Sequence, residues 1–518
     1  MLELIKDYVR ISNNCLLEDK TDVYEFDCII PDTLPDMQKV LAVDAHAESD
    51  SVSKTSGGIN LYFKINYKIL YLSDPESKIK SFSAFSDHSL KIPVSAVGDD
   101  DIIKVVYNVE NVDTTFINSR KISVKTSVHT DVLQKCATEI GVCTGISGID
   151  DVQLQKSTIE LNTVSEVIST SFDVDEEIAL SIGKAPYREV LRSDARLSDV
   201  TYSLIGDKLQ LKGNLIICTL YTADDMTESF QIIENEVPFS HSVEVENIGE
   251  NISWQCDCFL KSFNAEAIAD PDGELRLLRI VANIAVEGDA YSVYQQEYIT
   301  DAYSLSQSFD LNSASVPCML ASDSISGQFV IRDSAVKPED LPEISQIVNV
   351  TSCPGQYKCT SENGKFTISG SILCNVLYLS YSEECPIASF SSQIPFVQSI
   401  DCIECSDDLS AFVSVLINHI SFNIMSPAEI EMRISVNIKG LAVKNCIFKN
   451  IIEISQSDNP LKESICDKPS ILLYVVQPND SLWKIAKKYN APIELLRDIN
   501  QIKTPDLIYT GQKLLIPG

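Results

Sequence analysis

The sequence predicts a mainly β protein: three tandem antiparallel β-sandwich-like modules, then a small α+β domain of strand, helix, helix and strand. Three observations carry this. Val, Ile, Thr and Ser dominate long stretches, with Gly and Pro spread between them, a composition that favours strands over helix bundles. One residue pattern recurs three times at a spacing of roughly 150 residues, and internal repeats of that kind define an architecture. The last stretch, from Leu472 onward, changes to helical periodicity.

Each repeat opens with a proline, polar residues and an aliphatic pair. The copies are Pro35 to Leu41, Pro186 to Leu191 and Pro342 to Val348. Proline fixes φ and starts a short turn or helical turn, and the aliphatic pair anchors it. A long alternating strand follows and ends in a tyrosine: Ile59 to Tyr71, Leu209 to Tyr221 and Phe366 to Tyr378. A glycine-containing turn precedes each strand (Gly57-Gly58, Gly206-Asp207, Asn363-Gly364), which is a hairpin signal. The tyrosine rings are expected to pack in the core with their hydroxyls near the surface. An aromatic comes next: Phe239 and Phe396, each 18 residues past its tyrosine, and Phe85 after a shorter loop in the first copy. A late hairpin closes each unit, turning at Asn118-Ser119, at Asp270 to Gly273 and at Met425 to Pro427. The expected units are residues 1–150, 151–305 and 306–455, a polar tether at 456–470, and a terminal domain at 471–518.

In the terminal domain, Tyr474 to Val476 reads as a strand. Pro478 to Ser481 is a turn whose Asp480 or Ser481 caps a helix. Leu482, Ile485, Ala486 and Tyr489 then recur at helical spacing, with Lys484, Lys487 and Lys488 outside. Pro492 opens a second helix and Lys513 to Pro517 forms a closing strand.

The 518 residues carry a formal net charge of −33, which disfavours nucleic acid and anionic lipid as partners. The terminal domain departs from this, with six basic residues against four acidic ones from Leu472 to Gly518. The opening MLELIKDYVR lacks the apolar segment of a signal peptide, and no apolar run is long enough to span a membrane. The 16 cysteines are therefore expected as reduced thiols. Cys402-x-x-Cys405 lacks two further ligands for zinc and the βαβ setting of a redox pair, so a structural reading is preferred. Cys256-x-Cys258 alternates onto one strand face. The five histidines fall in no HExxH or similar constellation, and neither a phosphate loop nor a G-x-S-x-G elbow occurs. The reading is of a non-enzyme with no catalytic residue, no metal and no cofactor.

The tokens Tyr474-x-Val476, Asp480-Ser481-Leu482-Trp483-x-Ile485-Ala486, Tyr489, Leu495 with Asn500, and Ile508-x-x-Gly511-Gln512-x-Leu514-x-Ile516-Pro517 resemble the LysM family over the whole terminal domain. The resemblance implies a two-stranded sheet with two helices on one face. It also implies N-acetylglucosamine polymers such as peptidoglycan as ligands, in a groove lined here by Asn479, Asp480, Ser481, Leu507, Ile508 and Tyr509. Asn479 stands where the family usually has Gly; Asn tolerates positive φ, so the turn survives. The Pro-x-x-x-x-Val/Ile-Leu/Val openings and the strands ending in Leu/Ile-Tyr resemble the SPOCS domain of clostridial sporulation proteins. Three such modules followed by one LysM resemble the SipL-like family of spore-coat proteins. That resemblance implies a mother-cell cytosolic protein recruited to the forespore surface, whose LysM domain binds the coat morphogenetic ATPase rather than glycan. Val475, Trp483, Leu507 and Tyr509 are the expected contacts, with Trp483 equally open to a core reading. Self-association through open sheet edges is a further expectation.

Overall fold

The structure, a computed structural model, describes residues 2–55, 57–94, 97–99, 101–225, 229–245, 252–362, 364–401, 409–457, 471–502 and 508–517. Six strands form the first module: β1 (Glu3–Ile29), β2 (Asp36–Thr55), β3 (Gly58–Asp74), β4 (Ile79–Ile92), β5 (Ile102–Asn118) and β6 (Lys121–Ser147). The second holds β7 (Val152–Ala179), β8 (Tyr187–Ile205), β9 (Lys208–Ala223), β10 (Phe230–Glu244), β11 (Ile252–Ala269) and β12 (Leu275–Ser304). The third holds β13 (Phe309–Val336), β14 (Ile344–Glu362), β15 (Lys365–Ser380), β16 (Ile387–Asp401), β17 (Leu409–Ser426) and β18 (Glu429–Gln456). In every module the second to fourth strands form one antiparallel sheet, and the last strand pairs with both the first and the fifth to form another. Alternating residues of the two sheets share one core; in the first module Cys28, Met37, Phe63, Tyr67, Tyr71, Ile122 and Val124 meet there.

The likeness extends to irregularities. Bulges interrupt the β2–β3 ladder at Met37/Lys39 and Val40/Ala42. The second module repeats them at Tyr187/Glu189 and Val190/Arg192, and the third at Ile344/Gln346 and Ile347/Asn349. All three pairs stand at the same distances before the tyrosine. The opening prolines lead directly into these bulged strands, not into a helical turn.

The three tyrosines are wholly buried, and their hydroxyls are not at the surface as expected. Tyr71 donates to the Pro35 carbonyl at 3.0 Å, Tyr221 to Ala185 at 3.2 Å and Tyr378 to Pro342 at 2.8 Å, each across 36 residues. The near-constant proline-to-tyrosine spacing in the sequence reflects the length of this clasp, which ends on Ala185, just before Pro186, in the second module. A buried carbonyl at the strand entrance needs a donor, and the phenol supplies it.

Phe239 and Phe396 are buried opposite Gly213 and Gly370. A Cβ on Gly213 would lie 2.7 Å from the Phe239 ring. Phe85 is not their counterpart, being 58% exposed. In the first module the register pairs Phe63 with His88 instead. Phe63 supplies the aromatic from β3 and stacks on Tyr107 at 4.6 Å. The ring is kept while the strand that bears it changes, so spacing alone misassigns it.

The modules meet one another through equivalent surfaces. Leu70, Leu220 and Leu377, each one residue before its tyrosine, join Leu41, Leu191 and Val348 in one buried apolar cluster. Around it runs a closed cycle of polar contacts. Lys68 of the first module pairs with Asp194 of the second at 3.0 Å. The Cys218 thiol of the second donates to the Val348 carbonyl of the third at 3.0 Å. Asn375 of the third returns to Asp44 of the first. Head-to-tail contacts that close in this way make a ring of finite size.

β1 and β6 are 27 residues long each, and β5 pairs only with the first part of β6. Beyond it the pair continues as a two-stranded ribbon, and the other modules do the same. The three ribbons pack together through Val9, Ile11, Val142, Leu161, Cys318 and Phe448. Buried Asn450 ties two of them, donating to the Gly141 carbonyl at 2.8 Å.

The terminal domain has β19 (Ile471–Val475), α1 (Leu482–Tyr489), α2 (Ile493–Ile499) and β20 (Lys513–Pro517), with β19 and β20 antiparallel. Its core of Val476, Leu482, Ile485, Ala486, Leu496, Leu514 and Ile516 also takes in Tyr303 from the end of β12.

Candidate binding face of the C-terminal domain

Several expected site residues hold the local fold. The Ser481 side chain accepts from the Lys484 amide at 3.2 Å and caps α1. Asp480 accepts from the Gln477 amide at 2.8 Å and the Tyr474 hydroxyl at 2.7 Å. These bonds hold its carboxyl below the usual carboxylate range and push the Tyr474 phenol up to about 12. Asn479 takes φ of 68°, the left-handed turn for which the family uses Gly. Asn500 bonds the Leu496 and Leu515 carbonyls and the Leu515 amide, fastening α2 to β20.

Trp483 belongs to an internal contact. It is 8% exposed, its ring lies 5.0 Å edge-on to Tyr303, and its indole N–H donates to the Asp301 carboxylate at 2.8 Å. The Tyr303 hydroxyl donates to the Ala491 carbonyl at 2.7 Å, and Lys487 pairs with Asp301 at 2.6 Å. Burial pushes the Tyr303 phenol up to about 12. Of the two readings open for Trp483, the structure gives the buried one, with module two as its partner. Sequence reasoning missed Asp301 and Tyr303, which lie some 180 residues before the helix they hold. The other helix lysines also have neighbours: Lys484 donates to the Asn479 carbonyl, and Lys488 lies over the rings of Tyr474 and Tyr489.

What stays open is the sheet face turned away from the helices. Ile471, Leu473 and Val475 alternate outward on β19, beside Leu515 on β20, and Tyr509 is 68% exposed. Ile508 is half-buried against the domain core. Leu507 lies outside the described residues. Val475, Asn479 and Tyr509 are therefore the expected contacts that are exposed.

Residues 474–517 match the LysM domain family, and residues 188–268 and 343–425 match the family described as SipL, SPOCS domain. The chain carries SPOCS modules and a LysM domain. In this composition it matches SipL-like spore-coat proteins. The first module has the strand order, bulge positions and tyrosine clasp of the two matched SPOCS modules. The chain is 46% identical over 47 residues to SpoIVD-associated factor A of Bacillus subtilis (strain 168), which is 9% of this chain and 12% of that protein. It has the same identity over 47 residues to spore coat assembly protein ExsA of Bacillus cereus, 9% of this chain and 7% of that one. The chain thus spans only about a tenth of the length of these curated relatives. No solved structure matches.

Among the described residues, the SPOCS modules offer little that resembles a reaction centre. Ser86 Oγ lies 2.7 Å from His88 Nε2. Among the described residues no carboxylate hydrogen-bonds to that ring, which packs on Tyr24 and Phe63. Burial lowers its pKa and weakens it as a base. Thirteen cysteines are described and all are free thiols. Cys256 and Cys258 both face the same apolar cluster. Cys402 and Cys405 lie outside the described residues. Among those described, no helix is long and apolar enough to cross a membrane.

Proposed function

We propose that the chain is a non-enzymatic adaptor of endospore coat assembly, acting in the mother cell at the forespore surface. Its LysM domain makes the specific contact, with the coat morphogenetic ATPase as partner, and the three SPOCS modules serve as a rigid base. One observation carries this reading: Trp483 is committed to Asp301 and Tyr303, which fixes the LysM domain to the base and turns Val475 and Tyr509 to solvent. Apolar and aromatic side chains on a rigid support suit a protein interface. The name of the relative from Bacillus subtilis, which records association with SpoIVD, supports a protein partner of that kind. Deleting residues 470–518 should abolish recruitment to the forespore while the SPOCS modules stay folded. Normal localisation of the truncated chain would refute the docking role.

A second reading, binding of N-acetylglucosamine polymers, is favoured by the Asn479 turn, which keeps the left-handed geometry of the family's loop. Sedimentation with purified cell wall or cortex, competed by chitin oligomers, separates the two. Binding that the oligomers displace supports the glycan.

A further inference from the structure

The first SPOCS module departs from its sister modules at one place on the β1–β6 ladder. Asp19 and Asp131 stand directly opposite each other there. Like charges in that position repel. The sister modules avoid the repulsion, with Ser169 opposite Glu287 and Ser326 opposite Lys439. Two residues along, Thr21 faces His129, where the sisters have Ala285 and Asn437. One module alone has thus gained two carboxylates and an imidazole on one face.

The Thr21 hydroxyl favours one tautomer of the imidazole. The Thr21 hydroxyl donates to Glu110 Oε2 at 3.2 Å, so its oxygen is left to accept from His129 Nδ1–H at 3.1 Å. The Nε2 lone pair then faces the carboxylates, 3.2 Å from Asp131 Oδ1 and 3.4 Å from Asp19 Oδ1. The ring is 95% buried by its 5% side-chain exposure, and Gln356 of the third module lies over it, its Nε2 3.5 Å from Nδ1. One lone pair and two anionic oxygens converge within 4.8 Å of one another. A cation held by all three relieves that arrangement. Tetrahedral ligands bound at about 2.0–2.1 Å stand roughly 3.3–3.4 Å apart, which is the spacing seen here. A histidine oriented through its other nitrogen is the usual support for such a ligand.

We propose that Asp19, His129 and Asp131 bind one divalent transition-metal ion that accepts mixed nitrogen and oxygen donors, such as zinc or cobalt(II), with water completing its coordination. The test uses the full chain, stripped of metal and titrated with cobalt(II) near neutral pH. It is run beside Asp19→Ser and His129→Asn, substitutions the sister modules already tolerate in this ladder. The expected result is one equivalent of cobalt with the visible bands of nitrogen and oxygen ligation, weakened at least about tenfold in both variants while circular dichroism is unchanged. The chain's 16 cysteines are the competing ligands, and thiolate charge-transfer bands would reveal them. Uptake that shows only those bands, uptake equal in wild type and His129→Asn, or no uptake would each overturn the proposal.

Discussion

Trp483 on the first LysM helix donates its indole N–H to Asp301 on the last strand of the second SPOCS module, at 2.8 Å. A side chain that the sequence leaves open between core and binding anchor is thus used to set the domain on its base. A LysM domain of under 50 residues has a small core, and Tyr303 extends it from outside.

This contact separates docking from folding. Asp301→Ala removes the acceptor shared by Trp483 and Lys487, a charge-assisted contact of about 1.5–3 kcal/mol. It should free the LysM domain without unfolding it. NMR relaxation should show the domain tumbling faster, with its chemical-shift dispersion kept. Trp483→Ala removes a core side chain at about 3–5 kcal/mol and should collapse that dispersion. Unchanged tumbling in Asp301→Ala would show that the clasp does not hold the domain.

The tyrosine clasps predict a repeated effect. Phenylalanine at 71, 221 or 378 keeps the ring and strands a buried carbonyl. Each substitution should cost about 1–3 kcal/mol. Denaturant unfolding of each single variant checks this. A neutral result at all three positions would mean that the hydroxyl bonds contribute nothing.

Acid should loosen the ring between modules. Burial alone would raise the Asp194 carboxyl, but Arg192 and Lys68 hold it at about 2, below the ordinary 3.8. A carboxyl depressed in the folded state adds stability that is complete above its unfolded value, about pH 4. That stability is lost as pH falls through about 2, and amounts to roughly 2–3 kcal/mol. Unfolding free energy measured from pH 5 to 2 should fall through this window. Arg192 also pairs with Asp44 across the module boundary, so Arg192→Ala should cost about 3–5 kcal/mol at neutral pH. It should also flatten the acid dependence.

Much of this was legible in the sequence. The fold class, the late hairpins and the helices of the LysM domain follow from period and turn chemistry. The near-constant spacing from opening proline to tyrosine (36, 35 and 36 residues) was visible, but its cause was not, because a hydroxyl-to-carbonyl bond leaves no mark beyond a tyrosine and a distance. Phe85 was misassigned because β3 and β4 exchange their aromatic between Phe63 and Phe239-type positions, and local spacing does not record which strand bears it. Asp301, Tyr303 and the Asp19, His129 and Asp131 group were hidden for one reason. Asp301 and Tyr303 meet a helix some 180 residues later, and Asp19 lies some 110 residues before the His129-x-Asp131 pair, so no local motif shows either group.

The central claim is that the outward LysM face, held in place by module two, docks the partner. The most direct measurement is affinity capture from sporulating cells with the intact chain and with Tyr509→Ala and Val475→Asp, both folded by circular dichroism. The morphogenetic ATPase should be recovered with the intact chain and reduced at least about tenfold with either variant, the scale of a lost interface anchor. Equal recovery with all three would contradict that claim.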